Sequence, residues 1–217
     1  ARPCRNLIVD NCVVFHGHGG FVVGSEMSGG VSNISVTNCR FLGTDVGLRF
    51  KSCRGRGGVV ENVHIDGVTM MDIPAEPLLF DLHYGGKSAL EAAEDEVAAL
   101  YDIEPVPVDE TTPEFRNIHI SNIVCSGAAR AMYFNGIPEK NISGITVEDC
   151  LIVSEKGADI RYSDGVLLKN VDIRQAEGDG FIFANCRNVR IESCRDAAGE
   201  GGVSVFRHGE GEIVIND

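Results

Sequence analysis

The chain has 217 residues, a formal net charge of −13, 43% hydrophobic residues and 26 glycines but no tryptophan. The acidic balance argues against nucleic acid as a partner, because phosphate binding needs a basic surface. No run of 18 apolar residues is present, so no segment is predicted to cross a membrane. The length suits a single domain, residues 1–217, and the glycine-rich composition favours a turn-rich, all-β solenoid.

A short phrase recurs along the chain, and each copy begins with Asn or Asp and then alternates apolar with polar residues. The copies begin at Asn6, Asn33, Asn62, Asn117, Asn141, Asp164 and Asn188, at intervals of 27, 29, 55, 24, 23 and 24 residues. Alternation marks a strand with one buried face, and Asn and Asp tolerate the left-handed backbone of a tight bend. One such unit cannot bury its apolar edge alone, so the repeat predicts stacked coils.

Further strands are predicted between these phrases. They cover residues 20–25, 47–52, 78–83, 130–136, 158–163, 180–186 and 202–208. Two or three short strands in each coil predict a parallel β-helix, whereas a sandwich would join neighbouring strands by hairpins. Both ends of the chain read as strands without a cap, so we expect the exposed end of the stack to pair with another copy or to aggregate.

Residues 85–113 interrupt the repeat and are predicted to be an insertion at a coil corner. Ser88 is a candidate helix N-cap with Glu91 three residues later, and the helix is expected to end near Tyr101. The following segment is acidic and rich in proline, which predicts an extended surface excursion. Two arrangements remain open: the insertion overhangs a groove as a lid, or it packs on the outside of the coils.

The cysteines follow the repeat. Cys12, Cys39, Cys150 and Cys194 each close one copy of the phrase, which predicts a ladder of small buried side chains rather than a set of bridges. One or more disulfides remain the alternative. The chain has no CxxC or HxxxH spacing, so no metal site is predicted.

The densest cluster of positive charge follows a histidine between two glycines. Gly17 and Gly19 flank His18, so that backbone or ligand can approach its ring closely. In the predicted strand Arg49-Phe50-Lys51, alternation turns both cations to one face and the phenylalanine to the other. Two such cations repel unless an anion lies between them, which predicts an anion site; a solvated basic loop over 49–56 is the alternative.

These residues resemble a known family. His18 in GHG, Gly24-Ser25 and the triplet Arg49-Phe50-Lys51 resemble the GHG, GS and R-I-K motifs of glycoside hydrolase family 28, the polygalacturonases and related pectinases. The resemblance implies a right-handed parallel β-helix in which His18 shapes the catalytic centre and Arg49 and Lys51 bind a uronate carboxylate. Tyr84, in LLFDLHYGG, resembles a family tyrosine that lines the sugar subsite.

The resemblance also implies a function. It predicts inverting hydrolysis of α-1,4-galacturonan or a related pectic uronan, with pectic polysaccharide or galacturonate oligomers as the partner and with no cofactor. It further implies a bacterial protein that is secreted or periplasmic. Two other functions remain open: a uronan-binding β-helix without chemistry, and a purely structural solenoid. A polysaccharide lyase is less suited, because the sequence offers no acidic ladder for Ca²⁺ facing Arg49.

The catalytic carboxylates of the family are missing from their expected place. The family carries them in an Asn-Thr-Asp segment and an Asp-Asp pair before the GHG motif, whereas Asp10 is the only acid before His18 here. The chain therefore resembles a C-terminal portion and is expected to be weakly active or inactive alone, since glycoside hydrolysis generally uses two carboxyl groups. Asp45 and Glu26 are weak candidates as substitutes, and pairing of Asp45 with Arg49 is the alternative.

Overall fold

The computed structural model describes residues 2–85, 102–198 and 202–216, and these residues form one 16-stranded sheet. The strands are β1 (Cys4–Asp10), β2 (Val13–Phe15), β3 (Phe21–Gly24), β4 (Val31–Thr37), β5 (Arg40–Leu42), β6 (Leu48–Lys51), β7 (Val59–Ile73), β8 (Leu78–Asp81), β9 (Glu114–Ala128), β10 (Arg130–Asn135), β11 (Ile142–Arg161), β12 (Ser163–Ala184), β13 (Val189–Glu192), β14 (Arg195–Asp196), β15 (Val205–His208) and β16 (Ile213–Asn216).

Each strand pairs in parallel with the corresponding strand of the next coil. One wall follows the order β1, β4, β7, β9 and β11, and another follows β3, β6, β8, β10 and the end of β11. Residues one coil apart are therefore aligned, as in the row Leu7, Ile34, Val63, Ile118, Ile145 and Val166. This arrangement confirms the prediction of a parallel β-helix, because a sandwich would contain antiparallel ladders.

The bends between strands follow the prediction in part. Asn6, Asn33, Asn62, Asn117 and Asn188 all have positive φ, between 51° and 59°, and Asn33 Nδ2 donates to Asn6 Oδ1 at 3.1 Å.

The prediction is wrong for the bends at Asn141 and Asp164. There the left-handed position belongs to Gly144 (φ 61°) and Gly165 (φ 70°). A Cβ atom on Gly144 would lie 2.9 Å from Oδ1 of Asn117 in the coil below, so glycine fits the stacked corner where a larger residue would crowd it.

Aromatic side chains stack through the interior behind one wall. The rings of Phe50 and Phe80 are parallel with centroids 4.6 Å apart, and Phe80 meets Phe134 edge-on at 4.7 Å. All three side chains are buried in the core. Because strand residues alternate, burial of Phe50 directs its neighbours Arg49 and Lys51 to the outer face, as the sequence predicts.

All eight cysteines are free thiols. Each thiol of the predicted ladder points to the carbonyl oxygen two residues before it, at 3.5 Å for Cys12, 3.1 Å for Cys39, 3.1 Å for Cys150 and 3.4 Å for Cys194. Cys39, Cys150 and Cys194 are buried, whereas Cys12 lies exposed on the first described coil. Burial raises the pKa of Cys150 to about 12, which suits a packing role.

The helix predicted between Ser88 and Tyr101 lies outside the described residues. From Asp102 to the start of β9 the chain has no regular secondary structure apart from a turn at residues 110–111, and most of it is exposed. Its contacts include Ile103 N–H to the Tyr162 hydroxyl at 2.7 Å and Gly57 N–H to the Thr111 carbonyl at 2.8 Å. These contacts join this part of the insertion to the coils, and both arrangements, a lid over a groove or packing on the outside, remain predictions.

Apolar side chains are exposed on the first described coil. Ile8 is 75% exposed and Phe15 is 64% exposed. Pairing of this coil with another chain stays a prediction. Over the described ranges, no helix is both long and apolar enough to cross a membrane.

Candidate functional site

The predicted site residues lie on the outer face of the wall that contains β3, β6, β8, β10 and the end of β11. Parallel pairing aligns one outer row as Val22, Arg49, Leu79, Tyr133 and Asp159. The second outer row is Gly24, Lys51, Asp81, Asn135 and Arg161. Neighbouring strands are about 4.8 Å apart, so each step along a row moves one strand spacing along the helix axis.

Arg49, Lys51 and Tyr84 come together at this face. Lys51 Nζ lies 4.5 Å from the centre of the Tyr84 ring, and Arg49 Cζ lies 5.7 Å from it. The backbone N–H of Tyr84 donates to the Ser52 carbonyl at 3.0 Å, which holds the Tyr84 backbone beside the end of β6. The two cations therefore share one side of the wall and one aromatic neighbour.

Arg49 is buried although it lies on the outer face. Its side chain is only 4% exposed, and its Nε–H has no hydrogen-bond partner within residues 2–85, 102–198 and 202–216. Its Nη1 donates weakly to the His18 carbonyl at 3.4 Å. A buried donor left without a partner costs about 1–3 kcal/mol, so Arg49 favours an additional acceptor at this point.

His18 lies beside Arg49, and its ring is oriented by Asp45. Nδ1 of His18 is 2.6 Å from Oδ2 of Asp45, and Asp45 N–H donates to the Gly17 carbonyl at 2.9 Å across the coil boundary. The carboxylate favours the proton on Nδ1 and leaves the other ring nitrogen available. His18 is 85% exposed, so its ring is accessible from solvent. Asp45 therefore contacts His18. The alternative, in which Asp45 pairs with Arg49, is not observed.

The other cations of the basic stretch are engaged in ion pairs. Arg54 donates to both carboxylate oxygens of Glu139, at 2.6 and 2.7 Å. Arg56 pairs with Glu26 at 2.6 Å and also donates to the Ser25 hydroxyl. The structure therefore brings together His18, Asp45, Arg49, Lys51 and Tyr84, and places Glu26 on Arg56 instead.

Two further acids lie at this face: the partly buried Asp81, which is near the predicted site in the sequence, and the buried Glu76, which was missed. Asp81 follows Lys51 in its outer row; its Oδ1 accepts from the His83 N–H at 2.9 Å and from Asn135 Nδ2 at 3.1 Å. Burial raises the pKa of Asp81, and it also raises the pKa of Glu76, against the opposing effect of Arg130. The alternation in LLFDLH predicts that the Asp81 side chain points to the outer face. Glu76 lies before β8, so alternation makes no prediction for it.

A second aromatic–cationic group was also missed. Arg130, Tyr133, Asp159 and Arg161 form what we call the Tyr133 cluster. Arg130 Cζ lies 4.5 Å and Arg161 Cζ 5.4 Å from the centre of the Tyr133 ring. The alternation of RAMYFNG and ADIRYS contains the signal for Tyr133, Asp159 and Arg161, because it places these side chains on the outer face. Arg130 begins β10 in phase with the buried Met132 and Phe134, so its contact with the Tyr133 ring has no such signal.

No metal site is apparent in the part of the chain that the structure describes. There, no group of three or more His, Cys, Asp or Glu side chains is placed to hold a metal ion. The chemistry available at the outer face is therefore that of an imidazole, two cations, an aromatic ring and buried carboxyls.

Comparison with protein families gives two matches that together extend over residues 2–217. Residues 2–126, more than half of the chain, match the family "Glycosyl hydrolases family 28". Residues 109–217 match "Right handed beta helix region", which agrees with the predicted handedness.

Curated relatives carry the name polygalacturonase. The chain is 35% identical over 194 residues to the polygalacturonase of Ralstonia nicotianae, covering 83% of this chain and 32% of that protein. It is 34% identical over 158 residues to the polygalacturonase of Ralstonia solanacearum, covering 68% of this chain and 26% of the relative. The chain thus spans about a third of the length of these relatives or less.

A solved structure supports the same architecture. The crystal structure of a hyperthermoactive exopolygalacturonase from Thermotoga maritima matches with a TM-score of 0.65 at 23% identity, over 81% of this chain and 35% of that one. At this identity the likeness establishes the fold.

We expect the Glu76→Gln variant to be more stable than the wild type at pH 8 and equally stable at pH 4. Because the folded pKa of Glu76 is raised, the unfolded chain loses this proton first as the pH rises, and ionisation then favours unfolding. Glutamine keeps the shape of the glutamate side chain and cannot ionise. Urea unfolding at both pH values measures the difference, with the exposed Glu212→Gln as the matched control. A variant less stable at pH 8 would mean that ionised Glu76 stabilises the fold through Arg130.

Proposed function

This chain belongs to glycosyl hydrolase family 28, and we propose that it provides the uronate-binding wall of a polygalacturonase-type site. The observation that carries the proposal is the pair of outward cations, Arg49 and Lys51, held against Tyr84 beside His18. Such a pair favours an anion between or beside its members. The proposed ligand is the carboxylate of a galacturonate unit in a pectic polymer.

Each of the three binding residues has a distinct role in this proposal. The planar guanidinium of Arg49 suits a carboxylate through paired hydrogen bonds, and its unpartnered Nε–H is one donor for them. Lys51 adds a compact charge 4.5 Å from the Tyr84 ring centre. The ring offers an apolar face for the sugar, so that charge and stacking together select an acidic sugar over a neutral one.

His18 is proposed to contact the reacting sugar unit. Asp45 fixes its ring through Nδ1, so the opposite nitrogen faces outward in a constant position. That nitrogen is suited to hydrogen-bond a substrate hydroxyl near the carboxylate held by Arg49. Asp45 is therefore a positioning residue in this account.

The carboxyl groups that the sequence offers as candidates are poorly suited to hydrolysis. Asp10 lies at another corner, where hydrogen bonds from Thr37 at 2.6 Å and Asn38 at 2.9 Å keep its pKa low and disfavour a role as general acid. Asp45 is engaged with His18 and Glu26 with Arg56, so both remain weak candidates. We propose that the 217 residues alone bind the uronan and hydrolyse it slowly or not at all.

A non-catalytic uronan-binding module is the second candidate function. The engagement of Asp45 with His18 and of Glu26 with Arg56 favours it, and it uses the same contacts from Arg49, Lys51 and Tyr84. A structural solenoid does not need two aligned outward cations. The secreted or periplasmic location stays a proposal that follows from a pectic polysaccharide ligand.

Titration calorimetry with digalacturonate tests the uronate site. We expect salt-sensitive binding by the wild type and an affinity about tenfold lower or worse for Arg49→Gln, which removes a charge-assisted contact of about 1.5–3 kcal/mol. The matched control is Arg174→Gln, whose side chain is 61% exposed and pairs with Asp172 at 3.2 Å. Absence of heat from the wild type at low salt would reject the proposed function, and equal affinity in Arg49→Gln would reject this site.

A reducing-sugar assay on polygalacturonate separates the two candidate functions. We expect the wild type to release little or no product, and any release to fall in both Arg49→Gln and Asp45→Asn. Rapid release that both variants retain would show that hydrolysis takes place without these residues and would overturn their assignment.

A further inference from the structure

The outer face continues beyond Arg49 towards the later coils. Tyr133 occupies the same outer row as Arg49, with Leu79 of β8 between them. Two strand spacings separate the two positions, about 9.5 Å along the helix axis. A polymer that follows the stack from the Arg49 site would therefore pass over Tyr133.

Apolar side chains hold the ring of Tyr133 in place. It packs against a small apolar group of Val46, Ala75 and Leu79, which lies apart from the main core. Burial raises the pKa of its phenol to about 12, so the ring is uncharged at neutral pH. The result is a fixed aromatic platform, and fixed platforms bind sugars at a low cost in conformational entropy.

The charges around this ring are incompletely balanced. Arg161 forms a two-pronged pair with Asp159, at 2.8 and 2.5 Å, so these two charges largely cancel. Arg130 is 3.9 Å from Glu76 and 3.8 Å from Asp159, beyond ordinary hydrogen-bond distance from both. Its side chain is 23% exposed, so a ligand can reach it.

Tyr133 and Tyr84 meet their cations in the same way. Arg130 Cζ is 4.5 Å from the centre of the Tyr133 ring, and Lys51 Nζ is 4.5 Å from the centre of the Tyr84 ring. Each group thus combines an aromatic face with a cation on the same wall.

We propose that the Tyr133 cluster is a second uronate subsite, in which Arg130 binds the carboxylate of another unit of the polymer held at Arg49 and Tyr133 supports its ring. This inference rests on the proposed function and adds a direction: the polymer extends from Arg49 across β8 to β10. An oligomer long enough to occupy both groups then binds more tightly than one confined to the first.

Calorimetry with two ligands, mono- and hexagalacturonate, tests this subsite. We expect Arg130→Gln to lower the hexamer affinity about tenfold or more, as for loss of one charge-assisted hydrogen bond, and to leave monomer binding at Arg49 unchanged. Tyr133→Leu keeps the apolar packing and removes the stacking face, so it should act in the same direction. Arg174→Gln serves as the control, and thermal unfolding verifies that each variant is folded.

The outcomes separate this inference from the proposed function. A wild type that binds neither ligand would reject the proposed function itself. If the wild type binds the hexamer and both Arg130→Gln and Tyr133→Leu bind it with the same affinity, the second subsite alone is overturned. If folded Arg130→Gln weakened the monomer as much as the hexamer, Arg130 would belong to the first site and the separate subsite would again be rejected.

Discussion

The parallel stacking of Phe50 on Phe80 is the contact on which the candidate site depends. It fixes which side of β6 faces the core, at a centroid separation of 4.6 Å. Strand side chains alternate with a period of two, so a slip of one residue would turn Arg49 and Lys51 inward and Phe50 outward. A cation in that core would be strongly unfavourable, whereas the observed register buries the ring and leaves both charges beside Tyr84.

The electrostatics of the site arise from local structure within an acidic chain. The net charge is −13, yet the outer wall carries Arg49, Lys51 and Arg161 in two aligned rows, with Arg130 against the Tyr133 ring. Partial burial reduces screening by water, so each charge acts more strongly on a ligand than it would on an open surface. The same burial raises the pKa of Glu76, against the opposing effect of the nearby Arg130.

Much of this arrangement could be predicted from the sequence, because it follows from alternation within single strands. The shared face of Arg49 and Lys51 is an example. Contacts between coils could not be predicted, since their register depends on bend positions and on the 55-residue gap between the phrases at Asn62 and Asn117. The bend at Gly144 lay three residues beyond its predicted position, and the pairing of Asp45 with His18 across a coil carries no local sequence signal.

The proposed function depends on one physical property: the stack of coils holds two cations and an aromatic ring rigidly enough to receive an acidic sugar. The most direct measurement is a crystal structure of the protein with trigalacturonate bound. The account predicts a carboxylate within hydrogen-bond distance of Arg49 Nε and Lys51 Nζ, with its sugar ring against Tyr84. A well-ordered trisaccharide bound on another wall, or one whose carboxylates all face solvent, would contradict it.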